Sequence, residues 1–208
     1  MRLTPELLIR AYSQGAFPMG VDGEIRWYSP NPRGIIPLSR FHAPKTLLSL
    51  IRQGRFEIRT DSAFAEVMQA CAKRAEGTWI DKRIVSAYVE LHELGLAHSV
   101  EAWKDGKLAG GLYGVALGGA FFGESMFHKV RDASKVALVA LVDRLRNRKF
   151  ALLDTQYVTP HLIRFGAVEI SQKQYLAKLG RALQRDCSFT DAGPSRQTRP
   201  TSRKKNAP

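Results

Sequence analysis

Cysteine is scarce in this chain of 208 residues: Cys71 and Cys187 are the only two, too few for a disulfide framework. Cys71 falls on the apolar face of a helical pattern, and a reducing, cytoplasmic compartment is the expectation. No apolar run approaches the roughly 20 residues that a membrane helix needs. Met1-Arg2-Leu3 leads into polar residues rather than into the apolar core of a signal peptide. A membrane partner is therefore not expected. Several catalytic signatures are missing as well. The chain holds no GxSxG elbow, no paired-cysteine motif and no phosphate-binding P-loop. Its five histidines show no metal-ligand spacing, so a metal is not expected. Ser125 has no evident histidine partner, which argues against a covalent serine mechanism.

Acidic residues are also few, 19 against 32 lysines and arginines, for a formal charge of +13. Five of those positive charges lie in the acid-free segment 193–208, "GPSRQTRPTSRKKNAP", which leaves about +8 on the rest. That composition predicts a disordered tail. A body so basic favours polyanions, nucleic acid foremost, or else merely carries a solubilising excess. Lys45, Arg52 and Arg55 are the nearest approach to a patch and make a weak candidate for RNA contact.

Turn and periodicity signals divide the chain into a small N-terminal piece (1–30), a main domain (31–185) and a basic tail (186–208). "TPELLIRAYSQG" reads as a helix with Thr4 as N-cap, Pro5 at its first position and Gly15 as its stop. The proline-dense "WYSPNPRGIIPL" reads as the joint to the main domain. "RFEIRT" is strand-like. Phe64, Val67, Met68 and Cys71 recur at helical spacing, and a second helix capped by Asp81 runs to Gly95. The middle is a three-stranded antiparallel meander turning at Asp105-Gly106 and Gly118-Gly119 and ending in "AFFGESMF". A helix carrying Leu138, Leu141, Val142 and Leu145 follows, then the strand "FALLDTQYV", a short helix, the strand "AVEIS" and a last helix. This is an α+β fold with a mixed, largely antiparallel sheet flanked by helices. Its order resembles the GCN5-related N-acetyltransferase fold. Where that fold carries a glycine-rich phosphate turn, "HKVRDASK" has no glycine, so coenzyme A does not fit as the donor.

Three stretches carry candidate chemistry. Glu124 ends an apolar strand, where a carboxylate is costly unless something uses it. Asp154 and Gln156, two apart on a buried strand, are expected to share a face, as a satisfied structural pair or as a site. Two acids and an amide near strand ends suit a site that holds and deprotonates an amine. Trp79 in "GTWI" is either a base-stacking aromatic or a core tryptophan at a helix junction; the residues alone favour the core.

Taken together, "AYSQGAFPM", "WYSPNPRGIIPL", "GTWI", "AYVELHELGLAHSVEAW", "GGLYGV", "FFGESMF", "ASKVAL" and "LLDTQ" resemble the leucyl/phenylalanyl-tRNA–protein transferases over most of residues 5–180. The resemblance implies transfer of leucine or phenylalanine, and less readily methionine, from tRNA to proteins that begin with Arg or Lys, marking them for degradation. It implies that Asp154 and Gln156 are the catalytic pair and that Trp79 contacts the terminal adenosine. It implies that Glu124, Ser125, Met126, Leu112 and Leu141 line the aminoacyl pocket, with no cofactor. An aminoacyl ester is already activated, so an enzyme need supply only proximity, a neutral amine and electrostatic stabilisation. On this view Gln156 positions the amine while Asp154 holds Gln156 and takes up positive charge. Two alternatives remain: another aminoacyl-tRNA-dependent transferase, or an RNA-binding module without catalysis.

Overall fold

The computed structural model describes residues 3–73 and 78–190. The elements in order are α1 (Pro5–Ser13), β1 (Phe17–Val21), β2 (Glu24–Tyr28), β3 (Arg33–Ile36), α2 (Lys45–Arg52), β4 (Glu57–Thr60), α3 (Phe64–Ala72) and α4 (Lys82–Glu93). They continue with β5 (Ala97–Lys104), β6 (Lys107–Leu117), β7 (Ala120–His128), α5 (Ala133–Asn147), β8 (Leu152–Gln156), α6 (Pro160–Ile163), β9 (Val168–Ile170) and α7 (Gln172–Leu183). β1 and β2 form a hairpin of their own. The other seven strands make one sheet in the order β4-β5-β6-β7-β8-β3-β9. β7 and β8 pair in parallel and the remaining neighbours antiparallel, so the sheet is mixed and mostly antiparallel.

Local chemistry explains most of these elements. Thr4 caps α1 by accepting from Leu7 N–H, with Pro5 at the first helical position where no N–H is missed. Asp81 caps α4 through Arg83 and Ile84 N–H. Ser171 and Gln174 form a reciprocal capping box on α7. Side chains alternate along the strands. Phe122 and Leu152 face one core with α1, α3, α4 and α7, while Phe121 and Leu153 face another under α5.

Three elements depart from the expected plan. The proline-dense joint contains β3, a four-residue strand buried between β8 and β9. Pro32 and Pro37 bracket it so closely that turn chemistry masks the strand. The β1–β2 hairpin turns at Asp22-Gly23, both with positive φ, the two-residue turn within "VDGEI". α2 is a short helix whose buried contact is Leu47. Part of the expected basic tail, 186–190, is also described. Phe189 is 2% exposed, packed against Phe121, Phe150 and the His98 ring with the Arg144 guanidinium over it. Phe189 is therefore part of the core although it lies in the stretch expected as tail, and the expected disordered segment 193–208 lies outside the described residues.

Candidate functional site

The site arises where the two parallel strands part. β7 and β8 stay in register through Ala120–Leu152, Phe121–Leu153 and Phe122–Asp154, and pairing then stops. In open α/β sheets, ligands bind in the crevice beyond the carboxyl ends of parallel strands, and the β7–β8 pair forms such a crevice here. Both strands are bulged at that point. On β7 the pairing with β6 jumps from Gly114–Gly123 to Tyr113–Ser125, leaving Glu124 as the extra residue. Gly114 permits this, since a Cβ there would lie 2.3 Å from the Phe122 carbonyl oxygen. On β8 the pairing with β3 jumps from Ile35–Asp154 to Gly34–Gln156, leaving Thr155 extra. Gln156 then sits with φ 56° at the centre of a tight turn closed by Tyr157 N–H to Thr155 O at 2.6 Å. A Cβ on Gly34 would lie 2.6 Å from the Tyr157 carbonyl carbon, so only glycine lets β3 approach that turn. Simple alternation therefore does not govern the Asp154/Gln156 pair.

A cleft of about 320 Å³ opens there. It gathers Trp79, Leu112, Glu124, Ser125, Met126, Leu141 and Gln156, seven of the eight residues expected at the site. Leu112, Met126, Leu138, Leu141 and Leu153 make the apolar wall, and Phe17, Met19 and Tyr157 extend it toward Trp79. Trp79 is half-buried, and its carbonyl accepts from Gly20 N–H at 2.9 Å, which ties the 78–80 loop to β1. A more open groove of about 500 Å³ beside β4 and α5, lined by Arg144 and Arg148, has no such convergence of polar and apolar groups and lies away from the splayed strands. Lys45, Arg52 and Arg55 are exposed on α2 and the turn after it, and none lines the cleft.

Asp154 is the eighth expected residue, and it lies beneath the cleft, fully buried. Its Oδ1 accepts from Arg33 Nε at 3.0 Å and from Gln156 N–H at 2.8 Å. Its Oδ2 accepts from Arg33 Nη2 at 2.6 Å and from the Tyr175 hydroxyl at 2.7 Å. Each oxygen thus receives two hydrogen bonds, its full complement. Arg33 also donates to the Gly15 carbonyl and lies between the Phe17 and Tyr175 rings. Burial alone would lower the Arg33 pKa, but the hydrogen bonds and charge of Asp154 hold it above its ordinary value. The same burial pushes the Tyr175 hydroxyl well up. Arg33 was hidden in the expected loop; a buried arginine needs a buried acid, and the helical spacing of α7 gives no pointer to the pair.

Glu124 is the one carboxylate among the described residues that line the cleft. Tyr12 of α1 donates to its Oε1 at 2.7 Å, Gln156 Nε2 reaches the same oxygen at 3.3 Å, and Tyr88 of α4 approaches Oε2 at 3.4 Å. The two tyrosine hydroxyls are themselves hydrogen-bonded. Burial pushes the Glu124 pKa up to about 8; Asp154 adds to the rise, while the Tyr12 hydrogen bond, Arg33 and Tyr88 oppose it. Two histidines away from the cleft are held by the fold. His98 sits between Asp61 and the Gly95 carbonyl, and His92 bonds the Ala97 carbonyl and stacks on Phe64. Among the described residues no group of His, Cys, Asp and Glu could hold a metal ion, and no helix is long and apolar enough to cross a membrane.

A strained backbone turn, a perturbed carboxylate and an apolar pocket converge at one crevice, which makes it the candidate reaction site of an enzyme. The profile of the leucyl/phenylalanyl-tRNA protein transferase family matches residues 35–180, and that of the family's N-terminal domain matches residues 1–31. The chain belongs to this family and is a transferase. Proteins named leucyl/phenylalanyl-tRNA–protein transferase are similar along nearly the whole chain. The one from Herpetosiphon aurantiacus is 60% identical over 190 residues, 91% of this chain and 98% of that protein. Those from Salinibacter ruber and Gloeobacter violaceus are 57% and 54% identical, covering 87% and 90% of this chain and 80% and 97% of theirs. A solved structure described as "The structure of L-PGS from Bacillus licheniformis" aligns with 74% of this chain and 65% of that one at 8% identity and a TM-score of 0.44, too distant a likeness to bear on the site.

Proposed function

We propose that this cleft moves leucine or phenylalanine, and methionine less readily, from aminoacyl-tRNA to the α-amino group of proteins beginning with Arg or Lys, marking them for degradation in the cytoplasm. One observation carries the reading: the apolar wall of Leu112, Met126 and Leu141 ends beside the Glu124–Gln156 contact. A branched or aromatic side chain seated on that wall would present its ester carbonyl to an amine held at Gln156. The pocket is soft because Met126 adapts its shape. A methylene more or less changes such binding by only about 1–3 kcal/mol, so leucine, phenylalanine and methionine are all admitted.

Gln156 is the residue that touches the amine. Its Nε2 is turned to Glu124, and its amide oxygen is left to accept from an amine N–H. Asp154 acts through Gln156 as a positioning residue: its hydrogen bond to Gln156 N–H holds the strained turn. Trp79 at the mouth stacks on the terminal adenine, and Lys45, Arg52 and Arg55 meet tRNA phosphates. The order of meander, helix and strand around the β7–β8 crevice supports an acetyltransferase-like domain. The helix after β7 opens at Asp132, whose carboxylate is bonded to Lys135, and not on a glycine-rich phosphate turn. That favours tRNA over coenzyme A as the donor.

Incubation with radiolabelled Leu-tRNA and peptides that begin with Arg or with Glu tests the reading. Label should pass to the Arg peptide alone. An RNA-binding module would retain the tRNA and label neither peptide, and a transferase of different acceptor class would label neither or both.

A further inference from the structure

The activity proposed above requires a group that removes a proton from the attacking nitrogen. A carboxamide is too weak a base for that, and the two nearby acids are not equivalent. All four acceptor positions of Asp154 are filled, two of them by Arg33, and its side chain is sealed from the cleft. A proton could reach it only by displacing a hydrogen bond that holds the site together. Glu124 is the converse case. It stands out from β7 as a bulge residue, lines the cleft and touches Gln156, and its Oε2 has only the long 3.4 Å contact to Tyr88.

From this geometry we propose that Glu124 is the catalytic base of the transfer: Gln156 orients the acceptor amine, and Glu124 Oε2 takes its proton as nitrogen attacks. The inference rests on the reading of the cleft as an aminoacyl-transfer site. In the step a C–N bond forms at the ester carbonyl, the C–O bond to the tRNA ribose breaks, and the N–H proton passes to Glu124. The protonated Glu124 then returns that proton to the departing ribose oxygen, directly or through water, so the carboxylate is regenerated and no proton is gained or lost overall. The groups that set its basicity are Tyr12 on α1, Tyr88 on α4, Asp154 on β8 and Arg33 on β3; Tyr113 on β6 packs its ring edge against Tyr88. Burial raises Glu124 to about 8, close to the ~7.7–8.0 of a protein α-amino group. Transfer between groups so matched costs little, and a base near the working pH is the most effective kind.

The test is Glu124→Gln, which keeps the shape and an oxygen to accept from Tyr12. Transfer from Leu-tRNA to an Arg-initiated peptide is measured as kcat and KM for the peptide and as kcat/KM across about pH 6 to 9. Both the amine and the base must be deprotonated, so log kcat/KM for the wild type should rise with a slope of two at the acid end. The variant should keep the slope of one due to the amine, with kcat lower by about 10²–10⁴-fold and the peptide KM little changed. Glu124→Asp should restore part of kcat together with the slope of two, which separates a missing base from a damaged fold. A raised KM with kcat intact would assign Glu124 to binding the acceptor's cationic side chain and overturn the proposal, as would a slope of two in the glutamine variant. A wild type that transfers nothing would instead overturn the reading of the cleft itself.

Discussion

Asp154→Asn replaces a fully buried acid with a side chain of the same shape. The carboxylate takes two hydrogen bonds from Arg33, one from Tyr175 and one from Gln156 N–H, all from buried donors. An asparagine has one oxygen and one NH₂ group, so in either orientation two of those four donors face a donor. Arg33 is left charged, buried and half-unpaired. Removing one partner of a buried ion pair costs about 3–5 kcal/mol. At roughly 2–4 °C per kcal/mol for a chain of this size, the melting temperature should fall by about 6–20 °C. Transfer should fall as well, because the turn that presents Gln156 loses its support. Thermal unfolding measured beside single-turnover transfer, at a temperature where the variant is folded, checks both effects. Arg33→Met combined with Asp154→Asn should cost less than the two singles together, since the unpaired charge is then gone. A variant that melts within a degree or two of the wild type yet transfers nothing would refute the reasoning, for the charge would then act on the reaction directly.

Trp79→Ala should raise the KM for aminoacyl-tRNA by about 5- to 150-fold, the equivalent of about 1–3 kcal/mol of base stacking, with a much smaller change in stability; a large fall in melting temperature with KM unchanged would make it a core tryptophan. Phe189→Ala should destabilise by about 3–5 kcal/mol, because it empties the cage of Phe121, Phe150 and His98. Deleting 193–208 should leave the melting temperature unchanged, since that stretch has almost no apolar surface to bury. Glu124 also predicts a pH dependence of stability. Its pKa rises from 4.5 in the unfolded chain to about 8 in the fold. The folded state therefore binds more protons between those values, and this contribution is fully present below about 4.5 and lost as pH rises through about 8. Unfolding free energies of wild type and Glu124→Gln should accordingly differ in slope across that window; parallel curves would place Glu124 in a more solvated setting.

By itself the sequence determined the elements whose signals are local. Thr4-Pro5, Asp81 and Thr159-Pro160 start helices, Asp105-Gly106 turns a hairpin, and Leu138, Leu141, Val142 and Leu145 mark the buried stripe of α5. Capping, turn geometry and periodicity act within a few residues and are legible in one dimension. The motifs "FFGESMF" and "LLDTQ" likewise mark the two strands that part at the crevice. Tertiary structure alone decided what each polar residue there is for. β3 is too short and too enclosed by proline to be read, yet it carries Arg33 to Asp154 across 121 positions of sequence. Glu124 meets Tyr12 and Tyr88 from 112 and 36 positions away. The two bulges depend on pairing register between strands, which no single strand contains. A carboxylate's availability to a substrate is set by how many donors already surround it and how far it lies from water. Those donors come from distant segments, so the distinction between the saturated Asp154 and the less saturated Glu124 exists only once the chain has folded.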